Sequence, residues 1–144
     1  SHDTFLKAIF HRPNVLIVFN DGEGNAFGGW VNGTVTTVNA YVMTNDYFVF
    51  AFRPEQTKAF RFFFRAEDRD FGKALYVPGP EGDWWASIGY ESAIRFGCPT
   101  FQNVLNMIGR HFEGADAQTF LQTEEDLSMQ TEFLMRRLMV FCLN

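Results

Sequence analysis

Cysteine is nearly absent from this chain. Among 144 residues there are 2 thiols, Cys98 and Cys142, in unrelated contexts and without Cys-x-x-Cys or any other metal-ligand spacing. That spacing argues against a zinc module and a disulfide scaffold, and buried free thiols in a reducing compartment are expected. Histidine is also scarce, with only His2, His11 and His111, so few imidazoles are available for a metal centre or a general base. No apolar run reaches the roughly 18–20 residues that a membrane-spanning helix needs, and no signal peptide opens the chain. A cytoplasmic, monomeric protein without a membrane span is therefore expected. Positive charge is in short supply as well: 12 Lys and Arg stand against 17 Asp and Glu, for a net charge of −5. Nucleic acid and anionic membrane are disfavoured as partners on that balance. The first residues, Ser1-His2, lack an initiator Met. They read as a cleaved-tag scar or a processed start, so residues 1–13 are taken as a lead-in segment that can include tag residues.

What the chain has in abundance is phenylalanine, 18 of them, with 3 Trp and 4 Tyr. Aromatic side chains favour strands and bury large areas, which tilts the reading toward β structure. Residues 4–10 read as a short helix or a lead-in strand. Val15-Leu16-Ile17-Val18-Phe19 is a short apolar run between turn residues, the pattern of a central strand covered on both faces. Asp21-Gly22 is a hairpin dipeptide, and Asn25 to Val31 should return as the second arm, with Gly28 and Gly29 marking a bulge or a close backbone approach. Tyr47 to Phe52 is a second apolar run of the same kind. Phe60, Phe62 and Phe64 alternate with Arg61 and Arg65, as in a strand with one wet face. Further strands are read at 73–77, 83–88, 92–96 and 136–143. Val104, Leu105 and Ile108 have helical spacing, which points to a short helix or packed loop, and 120–133 reads as a polar, acidic, loop-like segment with at most one helical turn. Seven or eight short strands with frequent turns predict a mainly β chain of one domain, 1–144: an antiparallel β-sandwich of two sheets with a few short flanking helices.

The search for chemistry finds candidates but no constellation. The glycine-rich stretch 21–29 lacks the Gly-Lys-Ser/Thr ending of a phosphate loop. Asp21, Glu23 and Asn25 supply the first half of a calcium loop, but its twelfth position is Asn32; a weak ion site near Asp21 stands against a solvated turn. Cys98 with His111 is the one Cys–His pair that a thiol enzyme could use, against a structural cysteine. Arg61, Arg65 and Arg69 interleave with phenylalanines, as on single-strand-binding surfaces, but the alternation should send the rings into the core. The acidic run Glu124-Glu125-Asp126 and the pair Arg136-Arg137 are the candidates for contact with a protein partner, since rim charges set on-rate and partner choice.

Several of these segments, taken in order, resemble the TLDc domain family. Asn14 to Phe19 followed by Gly24-Asn25-Ala26-Phe27-Gly28-Gly29-Trp30-Val31 is similar to the family's opening strand, turn and G-x-x-F-G-G-[FY] strand. Asn45 to Phe50, Ser87 to Phe96, then Thr119-Phe120, Leu127-Ser128, Phe133 and Leu138 to Phe141 follow the family's later segments over residues 14–143. Ser92, Met139 and Phe141 stand where the family has an acidic residue, Glu and Trp, so the resemblance is that of a divergent member. The resemblance implies a β-sandwich with flanking helices and a role in protection against oxidative stress or in regulating the vacuolar proton-pumping ATPase (V-ATPase). It carries over no catalytic residue, metal or cofactor. Phe27, Gly28, Gly29 and Gly89 match family positions and read as structural, glycine for backbone geometry and phenylalanine for the core. The expectation is a non-catalytic protein-interaction domain.

Overall fold

A computed structural model describes residues 1–52, 60–65, 72–82, 84–97, 103–106, 108–115, 120–121 and 130–143. Their strands form two antiparallel sheets packed as a sandwich, as expected. Helix α1 (His2–Ile9) comes first. The five-stranded sheet runs, edge to edge, β11 (Arg137–Cys142), β1 (Val15–Asn20), β2 (Ala26–Val31), β4 (Tyr47–Phe52) and β5 (Phe60–Phe62). The six-stranded sheet runs β10 (Gln130–Phe133), β9 (Asn103–Asn106), β8 (Ile94–Phe96), β7 (Ala86–Ile88), β6 (Lys73–Val77) and β3 (Ala40–Met43). A short α2 (Ile108–His111) follows β9.

Strand alternation places the core. In β1 the odd positions Val15, Ile17 and Phe19 are buried, while Leu16 and Val18 between them are half-buried. Opposite them, Leu75, Ile88, Ile94, Phe96 and Leu105 close the core from the second sheet. Phenylalanines fill the space between as edge-to-face pairs: Phe19 lies 4.7 Å from Phe96 and 5.7 Å from Phe133, and Phe27 lies 4.9 Å from Phe133. Such pairs add roughly 0.5–1.5 kcal/mol each beyond the area they bury.

The hairpin joining β1 and β2 is present, in the register Val18↔Gly28 and Ile17↔Gly29. Gly28 has the close approach anticipated for it: a Cβ there would sit 1.9 Å from the Ile17 carbonyl oxygen.

Residues 1–9 are more than a lead-in. Ser1 caps α1, its hydroxyl accepting from Thr4 N at 3.3 Å, and His2 Nε2 lies 2.9 Å from the Pro78 carbonyl oxygen. Phe5 and Ile9, one helical turn apart, enter the core, where Phe5 meets Phe96 edge-on at 5.4 Å. Helix, not strand, therefore describes this segment.

Four expectations need correction. The described residues hold eleven strands, more than the seven or eight read from the sequence. Val104 and Leu105 lie on strand β9, not on a helix; their apparent helical spacing with Ile108 spans the junction between β9 and α2. Residues 130–133 form β10 instead of a loop, held by pairing with β9 despite a single large apolar side chain. Strand β3 is an edge strand with no buried residue, formed by the apolar run Ala40–Met43. Cys142 is a free thiol but only half-buried, donating to the Ala8 carbonyl oxygen at 3.4 Å; Cys98 lies outside the described residues.

Candidate functional site

The residues singled out in the sequence disperse. Phe27 is fully buried. Gly89 has φ +83°, a left-handed conformation that favours glycine, and its N–H donates to Ala74 O at 2.9 Å. Asp21 is buried within its own loop: Oδ1 accepts from Glu23 N at 2.8 Å and Asn25 N at 3.2 Å, and Oδ2 accepts from Asn25 Nδ2 at 2.6 Å. Its oxygens are turned to the hairpin, and the described residues include no cluster of three or more His, Cys, Asp or Glu suited to a metal. His111 is buried on α2, its ring edge-on to Tyr90 at 5.4 Å. Arg65 is tied to the same helix, donating from Nη2 to Gly109 O at 3.1 Å. Arg61 points the other way, so the two arginines do not form one basic face; Arg69, Glu124, Glu125 and Asp126 lie outside the described residues.

What the strands do bring together is an apolar surface on the outside of the five-stranded sheet. The pairing registers define three rows across it. One row is Phe141, Leu16, Trp30 and Phe48. The middle row is Met139, Val18, Gly28, Phe50 and Arg61. The third is Arg137, Asn20, Ala26 and Phe52. Trp30 stacks on Phe48 at 5.5 Å, Phe63 extends the first row 5.7 Å beyond Phe48, and the Arg61 guanidinium sits 5.7 Å above the Phe48 ring. Phe141, Phe52 and Phe63 are 47%, 42% and 55% exposed.

The outward face of the β1 and β4 runs is apolar and closed at its centre: Phe50 is 5% exposed and Gly28 is buried, Leu16, Val18, Trp30 and Phe48 are half-buried, and Phe52 and Phe141 are exposed. The continuous apolar runs were the available signal, since a strand with one polar face would alternate. The phenylalanines of 60–64 likewise do not all enter the core: Phe62 is buried, whereas Phe60 and Phe63 are exposed.

The outside of the six-stranded sheet is different. One row there reads Tyr41, Tyr76, Ser87, Arg95, Val104 and Glu132, a mixed polar surface. The exposed rings of Phe52, Phe63 and Phe141 gather on the side of the five-stranded sheet, and exposed apolar groups gathered in this way mark a contact face. Of the charged candidates, Arg137 belongs to the apolar face, beside Asn20. Arg136 lies just outside it, its aliphatic stem over the hairpin at Gly22 and its N–H donating to Asn20 O at 2.8 Å.

A second concavity of about 340 Å³ lies between α1 and β11, lined by Phe5, Ala8, Trp85, Leu138 and Val140. Its polar contributors, Ser1 and Thr4, are hydrogen-bonded to each other at 3.0 Å. Compared with known proteins, the chain matches no protein-family model and no curated protein.

Proposed function

We propose that the chain is a protein-interaction domain that docks its partner on the outside of the five-stranded sheet. The observation carrying this is the set of exposed rings Phe52, Phe63 and Phe141 at an apolar sheet face whose other side forms the core. Water contact with these three rings is costly, at about 25 cal/mol per Å², and a partner surface relieves it. Aromatic residues and arginine, the types most enriched where binding energy concentrates, dominate the face. On the TLDc resemblance, the partner is a subunit of the V-ATPase and the setting is protection against oxidative stress. The support for that assignment is the ordered set of sequence segments and the sandwich they imply.

The test is binding of purified V-ATPase subunits to the wild-type chain and to Phe141→Ser and Trp30→Ser variants. Binding that both substitutions weaken at least tenfold is expected. Binding indifferent to them removes the face from the proposal, and binding to no subunit removes the pump.

A further inference from the structure

We infer that the free edge of β11 receives an extended segment of another protein as a sixth strand, antiparallel to β11, with apolar side chains entering the concavity beside α1 and a carboxylate opposite Arg137. This site is the edge of the sheet and does not rest on the docking face proposed above.

Backbone comes first. Strand β11 ends the five-stranded sheet, with β1 on one side only. Leu143 N donates to Asn14 O at 3.0 Å, which continues the register Val15↔Cys142. Antiparallel ladders alternate bonded and non-bonded pairs, so Met139 and Phe141 bond to β1, and Leu138 and Val140 turn their N–H and C=O away from it. The hairpin has the same phase: Asp21 N donates to Asn25 O at 3.2 Å, so the odd residues of β1 serve β2 and the even ones serve β11. Among the described residues, no hydrogen bond reaches the N–H or C=O of Leu138 or Val140 from beyond the sheet. Edge strands are commonly blunted by charge or proline, yet residues 138–143 are apolar throughout.

Side chains come second. Val140 lies opposite Ile17 and Leu138 opposite Phe19, so both point to the core side of the sheet. There the concavity of about 340 Å³ opens, walled by Phe5 and Ala8 of α1 and by Trp85. A strand added about 4.8 Å beyond β11 sets its core-side residues over that space. The volume is at the low end of the roughly 300–1,000 Å³ of small-molecule sites. Its two lining hydroxyls, on Ser1 and Thr4, are bonded to each other, so they are not set to orient a small ligand. An edge strand beside a helix, with apolar space between them, suits strand addition: main-chain bonds give affinity, and pockets for alternate side chains give specificity.

Charge comes third. Arg137 is exposed at the start of β11 and makes no ion pair among the described residues. Its side chain lies on the opposite face of the sheet from that of Val140. In an antiparallel segment, the residue opposite Arg137 comes three places after the one opposite Val140. The segment therefore reads apolar, any, apolar, acidic, and the acidic residue meets Arg137 as a cross-strand pair of opposite charge. A second copy does not supply this, because β11 contains no acidic residue. Its contact strip, about 20 Å long and 10 Å wide, also falls far short of the roughly 800 Å² per partner of a stable interface.

The experiment uses a fluorescent peptide of about 8 residues containing Val-Thr-Val-Asp, titrated with the full chain by polarisation. N-methylation of the first Val, the residue opposite Val140, should weaken binding at least tenfold. N-methylation of the Thr after it, whose N–H points away from β11, should not. Lys in place of Asp should weaken binding about threefold at low salt, and Arg137→Glu should reverse that preference. Val140→Pro removes an N–H that the β1 ladder does not use, so the variant should fold by circular dichroism and lose the peptide, whereas Met139→Pro should unfold. Ala8→Trp, at an exposed position of α1, should fill the concavity and weaken binding. No binding, equal losses from the two N-methylations, or undiminished binding by folded Val140→Pro and Ala8→Trp overturns the inference. If Val140→Pro does not fold, the N-methylated pair and Ala8→Trp decide alone. A dimer in sedimentation that Ala8→Trp disperses assigns the edge to a second copy and also overturns it.

Discussion

Ile88 on β7 packs directly onto Gly29 on β2 across the sandwich. A Cβ on Gly29 would lie 3.0 Å from both Cδ1 and Cγ2 of Ile88, so the branched side chain of one sheet fills the space that the other leaves empty. Gly29→Ala should cost about 1–3 kcal/mol through overpacking, and Ile88→Val about 0.5–1.5 kcal/mol through lost contact. Because the valine removes Cδ1, one of the two crowded contacts, the double variant should be more stable than the sum of the two losses predicts. Urea unfolding of all four proteins measures the coupling; strict additivity would show that the two residues do not share this space.

Gly28, one residue earlier, makes a sharper prediction. The atom that a Cβ would meet is the backbone oxygen of Ile17, at 1.9 Å, and no rotamer change can move it. Gly28→Ala should cost about 3 kcal/mol or more, since the β1–β2 ladder itself must shift. It should therefore exceed Gly29→Ala in the same denaturation series, and the opposite ranking would contradict the register.

Leu16 and Ile17 are adjacent in sequence and face opposite ways. Ile17→Ala should cost about 2–5 kcal/mol, as for a closed core position. Leu16→Ala should cost less than half of that, since Leu16 is half-buried on the outward face. Comparing the two by denaturation separates the closed core from the outward face. Equal stability losses would mean that the outward face is covered.

Asp21 holds the hairpin from within. Asp21→Ala removes the acceptor for two backbone N–H groups and the Asn25 amide and should lower stability by about 1–3 kcal/mol. Asp21→Asn keeps one carbonyl oxygen for the backbone bonds and should lose less. Thermal melts of both variants check the order.

Much of this architecture could be read from the residues. The runs at Val15–Phe19 and Tyr47–Phe52, the Asp21-Gly22 turn and the glycine pair sufficed for a hairpin and a sandwich, because strand hydrophobicity and turn chemistry are local properties. Strands β3 and β10 were illegible for the opposite reason. Ala40–Met43 has no buried residue and Gln130–Phe133 has only Thr131 and Phe133 inward, so pairing with a neighbour distant in sequence forms them. The candidate site was half legible. Apolar composition in β1 and β4 was plain, but composition does not say whether a second layer covers the outer side. Arg137 was singled out for its charge. Its place in one sheet face with Arg61 depends on β11 lying against β1, a long-range pairing.

That pairing has a kinetic consequence. Val15 finds one ladder partner, Val31, nearby along the chain and the other, Cys142, almost at the far end of it. During synthesis β1 can form its hairpin early, yet its other edge keeps unsatisfied amides and carbonyls until Arg137–Cys142 emerges from the ribosome. High contact order of this kind slows folding, and an unprotected strand edge invites pairing with other chains. The nascent protein is most prone to aggregate in that interval, and chaperone occupancy should concentrate there.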